Sequence, residues 1–479
     1  MSNAAAPTFP AAPRIALYSH DTMGLGHIRR NTLLAQSLIA PPLSADVLLV
    51  SGIRESGAFA LPRGIDSITL PAYQKQPDGT YRSRSLGLPL EALIELRAQT
   101  ILAALTAFAP QLFVVDNVPR GALSELDTVL PVLRARGTRI ILGLRDIIDT
   151  PDTVARQWER LRNDEALQAH FDGIWIYGDT RLYDTIGAYG LDRLKGLRIT
   201  PVGYLDASLR NEGGASPEPG IEPAGETDHA GAGHDAATAG TATASATTAS
   251  ATTAGTATSG TAATGGTEAR SAAPAASSAS PHDASPFALC MMGGGQDGLA
   301  LAEAFARAPL PGGWRGIILT GSMMPPAARA RLQALVAERP ALQLMAFSSQ
   351  PLELIRAASA VVAMAGYNST MEVLALEKHT LLVPRVVPRE EQWLRASRLA
   401  DLGLVHCLHP DELSPGRVGE WLAHTATGTA PRPRAREVLD FSGLQRVVRE
   451  AAALLGHPAA STPAGSAAQP VLSPEAPVS

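Results

Sequence analysis

The stretch Gly293-Gly294-Gly295-Gln296-Asp297-Gly298 decides the fold, because it follows an apolar run at 287–292 and precedes a helical pattern that starts at Leu299. A strand that ends in glycines and leads into a helix presents backbone N–H groups at the positive end of that helix, which binds phosphate without a basic side chain. A second such turn, Gly24-Leu25-Gly26-His27, follows the apolar run at 14–19. One unit in each half predicts two facing Rossmann-like domains that close on a nucleotide-linked ligand.

Composition and charge exclude several classes of protein. The 479 residues are 45% apolar, which is enough for two cores of the usual size. A formal net charge of −5 and a pI of about 6.1 argue against a nucleic-acid partner. The two cysteines, Cys290 and Cys407, each fall in an apolar run, which is typical of buried thiols in a reducing compartment.

These features predict a cytoplasmic protein. Residues 1–10 have neither the basic nor the apolar stretch of a signal peptide. No apolar run is long enough to cross a bilayer. Contact with the inner face of the membrane stays open as an alternative.

A shift in composition predicts the domain boundaries. Residues 210–285 are rich in Ala, Thr, Gly and Ser, and Ile221 is their only large aliphatic side chain. Such a segment buries too little surface to offset chain entropy, so we expect a disordered linker there and a disordered tail over 456–479. The N-terminal domain then spans 14–209 and the C-terminal domain 286–455.

Both domains alternate short apolar runs with helical patterns. The predicted strands lie at 14–19, 45–51, 67–70, 112–117, 139–144 and 173–177, and after the linker at 287–292, 316–320, 342–347, 360–364, 380–383 and 405–408. The predicted C-terminal helices lie near 299–308, 327–338, 351–358, 368–377 and 390–402. Short aliphatic strands separated by helices predict buried parallel sheets. A last helix, over about 435–455, carries apolar side chains that would pack back across the domain junction.

Gly293, Gly295 and Gly298 satisfy the dinucleotide pattern G-x-G-x-x-G. A nicotinamide enzyme also needs an acidic residue at the end of the next strand, to bind a ribose hydroxyl. The segment 319–324 has none, which disfavours a dehydrogenase. A turn that only packs a helix on a strand is the structural alternative. The pattern G-x-x-x-x-G-K-[ST] is absent, which excludes a P-loop nucleotidase.

A second cluster of polar residues follows the strand at 360–364. The strand ends at Gly366, and Asn368, Ser369 or Thr370 is expected to cap the next helix. Glu372 would fall in the first turn, facing the strand ends where open α/β sheets bind ligands, and would suit a ribose diol. An acid that only caps the helix is the alternative.

A third cluster follows the strand at 380–383. Gln392 offers both a donor and an acceptor to a sugar hydroxyl. Arg385 and Arg389 would either meet phosphates or be solvated.

His27 is the candidate general base. A histidine at a helix N-terminus is favoured in its neutral form, which a base requires. His20, at the end of the first strand, is the rival candidate, and a purely structural histidine is the alternative for either. Asp116 would orient the base or cap the turn at Asn117.

On these residues the chain resembles a GT-B glycosyltransferase of the family-28 type, similar to the transferase that adds N-acetylglucosamine to the lipid-linked peptidoglycan precursor. It is most similar to the bacterial group known only as predicted glycosyltransferases. Gly24-Leu25-Gly26-His27 matches the family's N-terminal loop, and Gly293-Gly294-Gly295-Gln296 its donor-phosphate loop, with glycine in place of serine. The segment from Gly366 to Glu372 keeps the family spacing, Gln392 matches its glutamine, and Phe347 sits where the backbone contacts uracil. The resemblance covers both globular halves, but neither the linker nor the tail.

The resemblance implies an activity. The donor would be a nucleotide sugar, UDP-linked, and the reaction an inverting displacement of a hexosyl group that needs no cofactor and no metal. The segment Thr200-Pro201-Val202-Gly203 lacks the family's diphosphate-binding arginine. The resemblance therefore predicts the fold more firmly than it predicts the identity of the donor. The acceptor would be either a lipid-linked molecule or a polysaccharide. The basic and then apolar segment 73–90 would either meet a membrane surface or form an ordinary loop.

Three other functions share parts of this pattern. A sugar-nucleotide 2-epimerase would use several carboxylates in the cleft. A non-catalytic nucleotide-sugar-binding subunit would bind the donor without transfer. A dehydrogenase would bind nicotinamide and not UDP.

Overall fold

The computed structural model describes residues 12–20, 26–53, 61–76, 80–209, 285–348 and 350–457. Of the predicted linker the structure describes only residue 285, and of the predicted tail only residues 456 and 457. Gly24 also lies outside them.

The N-terminal half contains a seven-stranded, fully parallel sheet in the order β3-β2-β1-β6-β7-β8-β9. Its strands are β1 (Arg14–Ser19), β2 (Asp46–Ser51), β3 (Ile65–Thr69), β6 (Leu112–Asp116), β7 (Arg139–Arg145), β8 (Gly173–Tyr177) and β9 (Arg198–Pro201), and β4 (Tyr73–Lys75) with β5 (Tyr81–Ser83) forms a separate hairpin. Its helices are α1 (Gly26–Leu38), α2 (Leu90–Phe108), α3 (Val129–Ala135), α4 (Pro151–Arg160), α5 (Asn163–His170) and α6 (Thr185–Ala188). The strand order reverses between β1 and β6, and open α/β sheets bind ligands at such a switch point.

The C-terminal half repeats this architecture with six parallel strands in the order β12-β11-β10-β13-β14-β15. The strands are β10 (Phe287–Met291), β11 (Arg315–Leu319), β12 (Leu342–Met345), β13 (Ala360–Ala363), β14 (Thr380–Leu382) and β15 (His406–Cys407). The helices are α7 (Leu299–Arg307), α8 (Pro326–Ala337), α9 (Pro351–Ala357), α10 (Tyr367–Ala375), α11 (Glu391–Asp401), α12 (Pro415–Ala426), α13 (Ala435–Val438) and α14 (Gly443–Leu454). Two Rossmann-like parallel sheets confirm the predicted fold class.

The apolar strands explain the sheets. Every side chain of β6, β8, β10 and β13 is buried, as expected of parallel strands covered by helices on both faces. The sequence pattern missed β9 because this strand is polar, partly exposed and ends in a proline. None of the described helices has the length and apolar character needed to cross a membrane.

The expected single helix over 435–455 is wrong in one respect. The chain leaves the helical path at residues 439–442, between α13 and α14. There the carbonyl of Asp440 accepts a 2.7 Å hydrogen bond from the N–H of Tyr204, and Leu205 forms a β-bridge with Ser442. The break gives the returning chain backbone partners in the N-terminal half, so this segment does cross the junction.

Candidate active site

His27 and Asp116 meet at the carboxyl edge of the N-terminal sheet. Asp116 ends β6 and His27 is the second residue of α1, so the switch point brings them together. His27 Nδ1 hydrogen-bonds Oδ2 of Asp116, and the two side chains are 17% and 1% exposed. Since Nδ1 is engaged with the carboxylate, Nε2 is the ring nitrogen left for a ligand.

Arg30 is the second partner of Asp116. Its Nε lies 3.0 Å from Oδ1 and its Nη2 lies 2.7 Å from Oδ2. Burial would raise the pKa of Asp116, but the charges of Arg30 and His27 outweigh it and hold that pKa well below its usual range. Asp116 is therefore a carboxylate at neutral pH that holds His27 in one orientation.

His20 lies beside this pair, with its ring centroid 4.3 Å from that of His27. Its Nδ1 is buried without a hydrogen-bond partner among the described residues. Burial, followed by the nearby His27, lowers the pKa of His20 well below its ordinary value, so its ring is neutral at pH 7.

His20, His27 and Asp116 also have the spacing of a metal site, since one ligand atom from each lies within 4.8 Å of the others. Their surroundings do not suit a cation. Asp116 is already shared with Arg30, and the guanidinium of Arg145 is close enough to act on His20 electrostatically. A metal ion would meet two positive charges here.

Helix α10 of the C-terminal half faces this edge. Gly366 is its N-cap and no side chain caps it, so the expected cap by Asn368, Ser369 or Thr370 is wrong. The Asn368 amide instead donates to the carbonyl of Gly26, at 2.7 Å, across the cleft. Ser369 lies half-buried in the first turn.

Glu372 is the sixth residue of α10, not a member of its first turn as expected. It is 6% exposed and forms an ion pair with Arg29 of α1. Its Oε2 is buried without a hydrogen-bond partner among the described residues. The cavity beside this pair measures about 20 Å³, which is room for about one water molecule. In this closed arrangement the predicted ribose site is occupied by Arg29.

The glycine loop has a packing role as well as exposed backbone. At Gly295, with φ +93°, an added Cβ would lie 2.2 Å from the Thr320 carbonyl, and at Gly298 it would lie 2.0 Å from Met292 Cγ. Gly293 faces open space with φ +61°. Within the described part of the chain, the N–H groups of Gly293, Gly294 and Gln296 have no hydrogen-bond acceptor. The loop thus combines a fixed backbone with free donors at the start of α7.

The third cluster lies beside this loop. Arg385 donates to Asp297 at 2.7 Å and to Glu391 at 2.8 Å, so it is paired and not solvated. Gln392 accepts from the Arg385 N–H at 3.0 Å, which leaves its amide NH₂ for a ligand. Arg389 is more exposed, 4.0 Å from Asp149 of the N-terminal half. Phe347, just after β12, is 45% exposed.

Arg30 and Arg395 are functional candidates that the sequence analysis did not identify. Arg30 follows His27 by three residues, so a helix places both on one face, and that spacing is the signal that was available. Arg395 of α11 is fully buried against Asp146, at 2.8 Å, just beyond β7. Nothing local in the sequence indicates that pair, because its two members are 249 residues apart.

Comparison with known proteins agrees with this architecture. Residues 317–441 match the glycosyltransferase family 28 C-terminal domain. No curated protein sequence matches the chain. The chain is similar to the calicheamicin glycosyltransferase CalG4, with a TM-score of 0.52 and 15% identity, over 94% of this chain and 100% of that one. It is also similar to a Listeria monocytogenes protein assigned as a UDP-N-acetylglucosamine 2-epimerase, with a TM-score of 0.52 and 9% identity, over 93% and 97% of the two chains.

The structural likenesses show the fold, which transferases and an epimerase share, whereas the domain match points to the activity. Two parallel sheets, the glycine loop at 293–298 and the matched domain agree with one another. The chain is a glycosyltransferase with the GT-B fold, and its residues 317–441 form the part that matches the family 28 C-terminal domain.

Proposed function

We propose that this glycosyltransferase moves a hexosyl group from a UDP-linked nucleotide sugar to an acceptor hydroxyl, with inversion and without a metal ion or other cofactor. The observation that carries the proposal is the His27–Asp116 pair at the switch point of one sheet, directly opposite α10 of the other. A single positioned base facing a nucleotide-binding half is what a one-step displacement requires.

In the proposed reaction, Nε2 of His27 takes the proton of the acceptor hydroxyl as its oxygen attacks the anomeric carbon. The bond from that carbon to the diphosphate oxygen breaks on the opposite side, which inverts the configuration. Asp116 keeps the ring oriented and stabilises the imidazolium that forms, because its low pKa keeps it ionised throughout.

The glycine loop supports departure of the diphosphate. Free N–H groups at 293, 294 and 296 and the positive end of α7 stabilise the negative charge that develops on the leaving group. The sequence has no Asp-x-Asp metal motif, and the carboxylates of the cleft face arginines. This chemistry supports a metal-independent mechanism.

The pairing of the cleft carboxylates also argues against an epimerase. Asp116, Glu372, Glu391 and Asp146 each form an ion pair with an arginine. Carboxylates engaged by arginines in this way are poorly placed to shuttle protons at a sugar carbon.

Glu372 carries the proposed ribose contact, and its replacement tests the donor site. Glu372→Ala is expected to weaken UDP binding by about tenfold or more, the effect of losing hydrogen bonds to a charged group. Calorimetric titration with UDP measures it, and circular dichroism checks that the fold persists.

Arg29→Ala is the matched control, because it removes the same ion pair but leaves the carboxylate in place. Its UDP affinity should equal or exceed that of the wild type. Equal losses in both variants would mean that the ion pair holds the cleft together and that Glu372 does not bind ribose.

The proposal places the enzyme in the cytoplasm, where Cys290 and Cys407 remain unpaired thiols. It leaves two acceptor classes. Leu86 and Leu88, after the β4–β5 hairpin, are 45% and 40% exposed and follow the basic residue Arg82. A lipid-linked acceptor would use this segment at a membrane surface, and a polysaccharide would not. Co-sedimentation with anionic vesicles distinguishes them.

The direct test of the function is a screen of UDP- and dTDP-sugars, with NAD as the comparison. The proposal requires saturable binding of a nucleotide sugar, and release of its nucleotide only when an acceptor is present. Turnover of a UDP-sugar without an acceptor would identify an epimerase. Binding of NAD in place of UDP would identify a dehydrogenase.

A further inference from the structure

Arg145 is a charged residue of the cleft that the mechanism above does not use. It ends β7, in register with Tyr177 of β8 and one strand from Asp116. The carboxyl edge of the sheet therefore places it beside the candidate base. Its Nε is buried and has no hydrogen-bond partner among the described residues.

The neighbouring arginines differ from Arg145 in one respect: each has a carboxylate partner. These pairs are Arg29–Glu372, Arg30–Asp116, Arg385–Glu391 and Arg395–Asp146. No ion pair is found for Arg145 within the described ranges. Arg145 is therefore the member of this group of arginines that has no carboxylate partner among the described residues.

The surroundings make that charge costly. Burial lowers the pKa of Arg145 to about 10, and the like charges of Arg30 and Arg395 act in the same direction. The side chain is still protonated at pH 7. An unpaired cation next to other cations destabilises a fold, so a stability role does not explain it.

A chain of charged side chains connects Arg145 with the glycine loop. Glu391, at the start of α11, acts on Arg145 electrostatically and is bonded to Arg385. Arg385 is in turn bonded to Asp297 of the glycine loop. Arg145 thus interacts electrostatically both with Asp116, the partner of the candidate base, and with Glu391, which Arg385 links to the glycine loop.

We propose that Arg145 binds a phosphoryl oxyanion of the substrate. The inference rests on the proposed function, in which a diphosphate leaves from this cleft. A guanidinium offers two parallel N–H donors to phosphate, and a phosphate provides the missing counter-charge. The phosphoryl group belongs either to the donor diphosphate or to a phosphate on a lipid-linked acceptor.

Inorganic pyrophosphate is the probe, because it carries the proposed chemistry without base, ribose or sugar. We expect Arg145→Gln to bind it about tenfold or more weakly than the wild type, the effect of losing charge-assisted hydrogen bonds. Arg139→Gln is the matched control, since Arg139 begins the same strand at its opposite end and is 50% exposed. This control should bind pyrophosphate as the wild type does.

Thermal unfolding without ligand adds a second readout. Removal of a half-buried cation without a carboxylate partner should leave the Tm of Arg145→Gln unchanged or higher, whereas a structural arginine would lower it. Equal pyrophosphate affinity in Arg145→Gln and the wild type would overturn the proposal. It would also be overturned by absence of pyrophosphate binding to the wild type, or by a lower Tm of the variant.

Steady-state kinetics identifies the source of the phosphoryl group. A raised KM for the nucleotide sugar alone assigns Arg145 to the donor, and a raised KM for a phosphate-bearing acceptor alone assigns it to the acceptor. The proposed function fails separately, if the wild type binds pyrophosphate through Arg145 but no nucleotide sugar.

Discussion

His27→Ala is expected to lower kcat for glycosyl transfer by about 10²–10⁴-fold, the usual effect of losing a general base. Donor affinity should not change, because none of the proposed donor contacts involves His27. Asp116 would keep its hydrogen bonds to Arg30, so the fold should persist. Single-turnover kinetics with a nucleotide sugar and its acceptor, beside calorimetry with UDP, separates the two effects.

His20→Ala is the control for this variant. His20 packs on His27 at a ring distance of 4.3 Å, but its depressed pKa and buried Nδ1 make it a neutral neighbour. We expect a much smaller loss of kcat than in His27→Ala. Unchanged turnover in His27→Ala would remove the base assignment, and an equal or larger loss in His20→Ala would transfer it to the rival histidine.

Asp146→Ala is expected to lower the free energy of unfolding by about 3–5 kcal/mol, the usual effect of leaving a buried charge without its partner. Asp146 and Arg395 are both 0% exposed, at 2.8 Å, and join the end of β7 to α11. Tyr204 also donates to Asp146, at 3.1 Å. The change would leave the Arg395 guanidinium buried without its carboxylate, and urea unfolding measures the loss.

Two further variants make this measurement specific. Arg162→Ala breaks an exposed pair with Glu165 and should leave the urea midpoint unchanged. Asp146→Leu combined with Arg395→Met replaces both charges with apolar side chains and should recover much of the loss. If Asp146→Ala is no less stable than Arg162→Ala, the buried pair does not hold the two halves together.

The fold followed from the sequence because its signals are local. Short aliphatic runs, glycine turns and amphipathic helices each report the conformation of a few residues, and their alternation predicts two parallel sheets. The contact between His27 and Asp116 could also be predicted. His27 follows β1 and Asp116 ends β6, and the carboxyl ends of both strands lie at the same edge of the sheet. The hairpin β4–β5 and the polar strand β9 lack such a signal.

Tertiary contacts decided what the sequence did not predict. The cap of α10 is the backbone at Gly366, because Asn368 reaches across to Gly26 instead. Glu372 therefore lies deeper in the helix and meets Arg29. Arg30 and Arg395 sit in helices with many polar residues, where an arginine is expected in solvent. Their burial depends on carboxylates far away in the chain, which no local pattern indicates.

A crystal structure of the protein with UDP tests the central claim most directly. The account predicts diphosphate density on the N–H groups of residues 293–296 and the ribose on Glu372, with the Arg29–Glu372 pair opened to admit it. Density for UDP elsewhere, or none near the glycine loop under saturating nucleotide, would contradict the account.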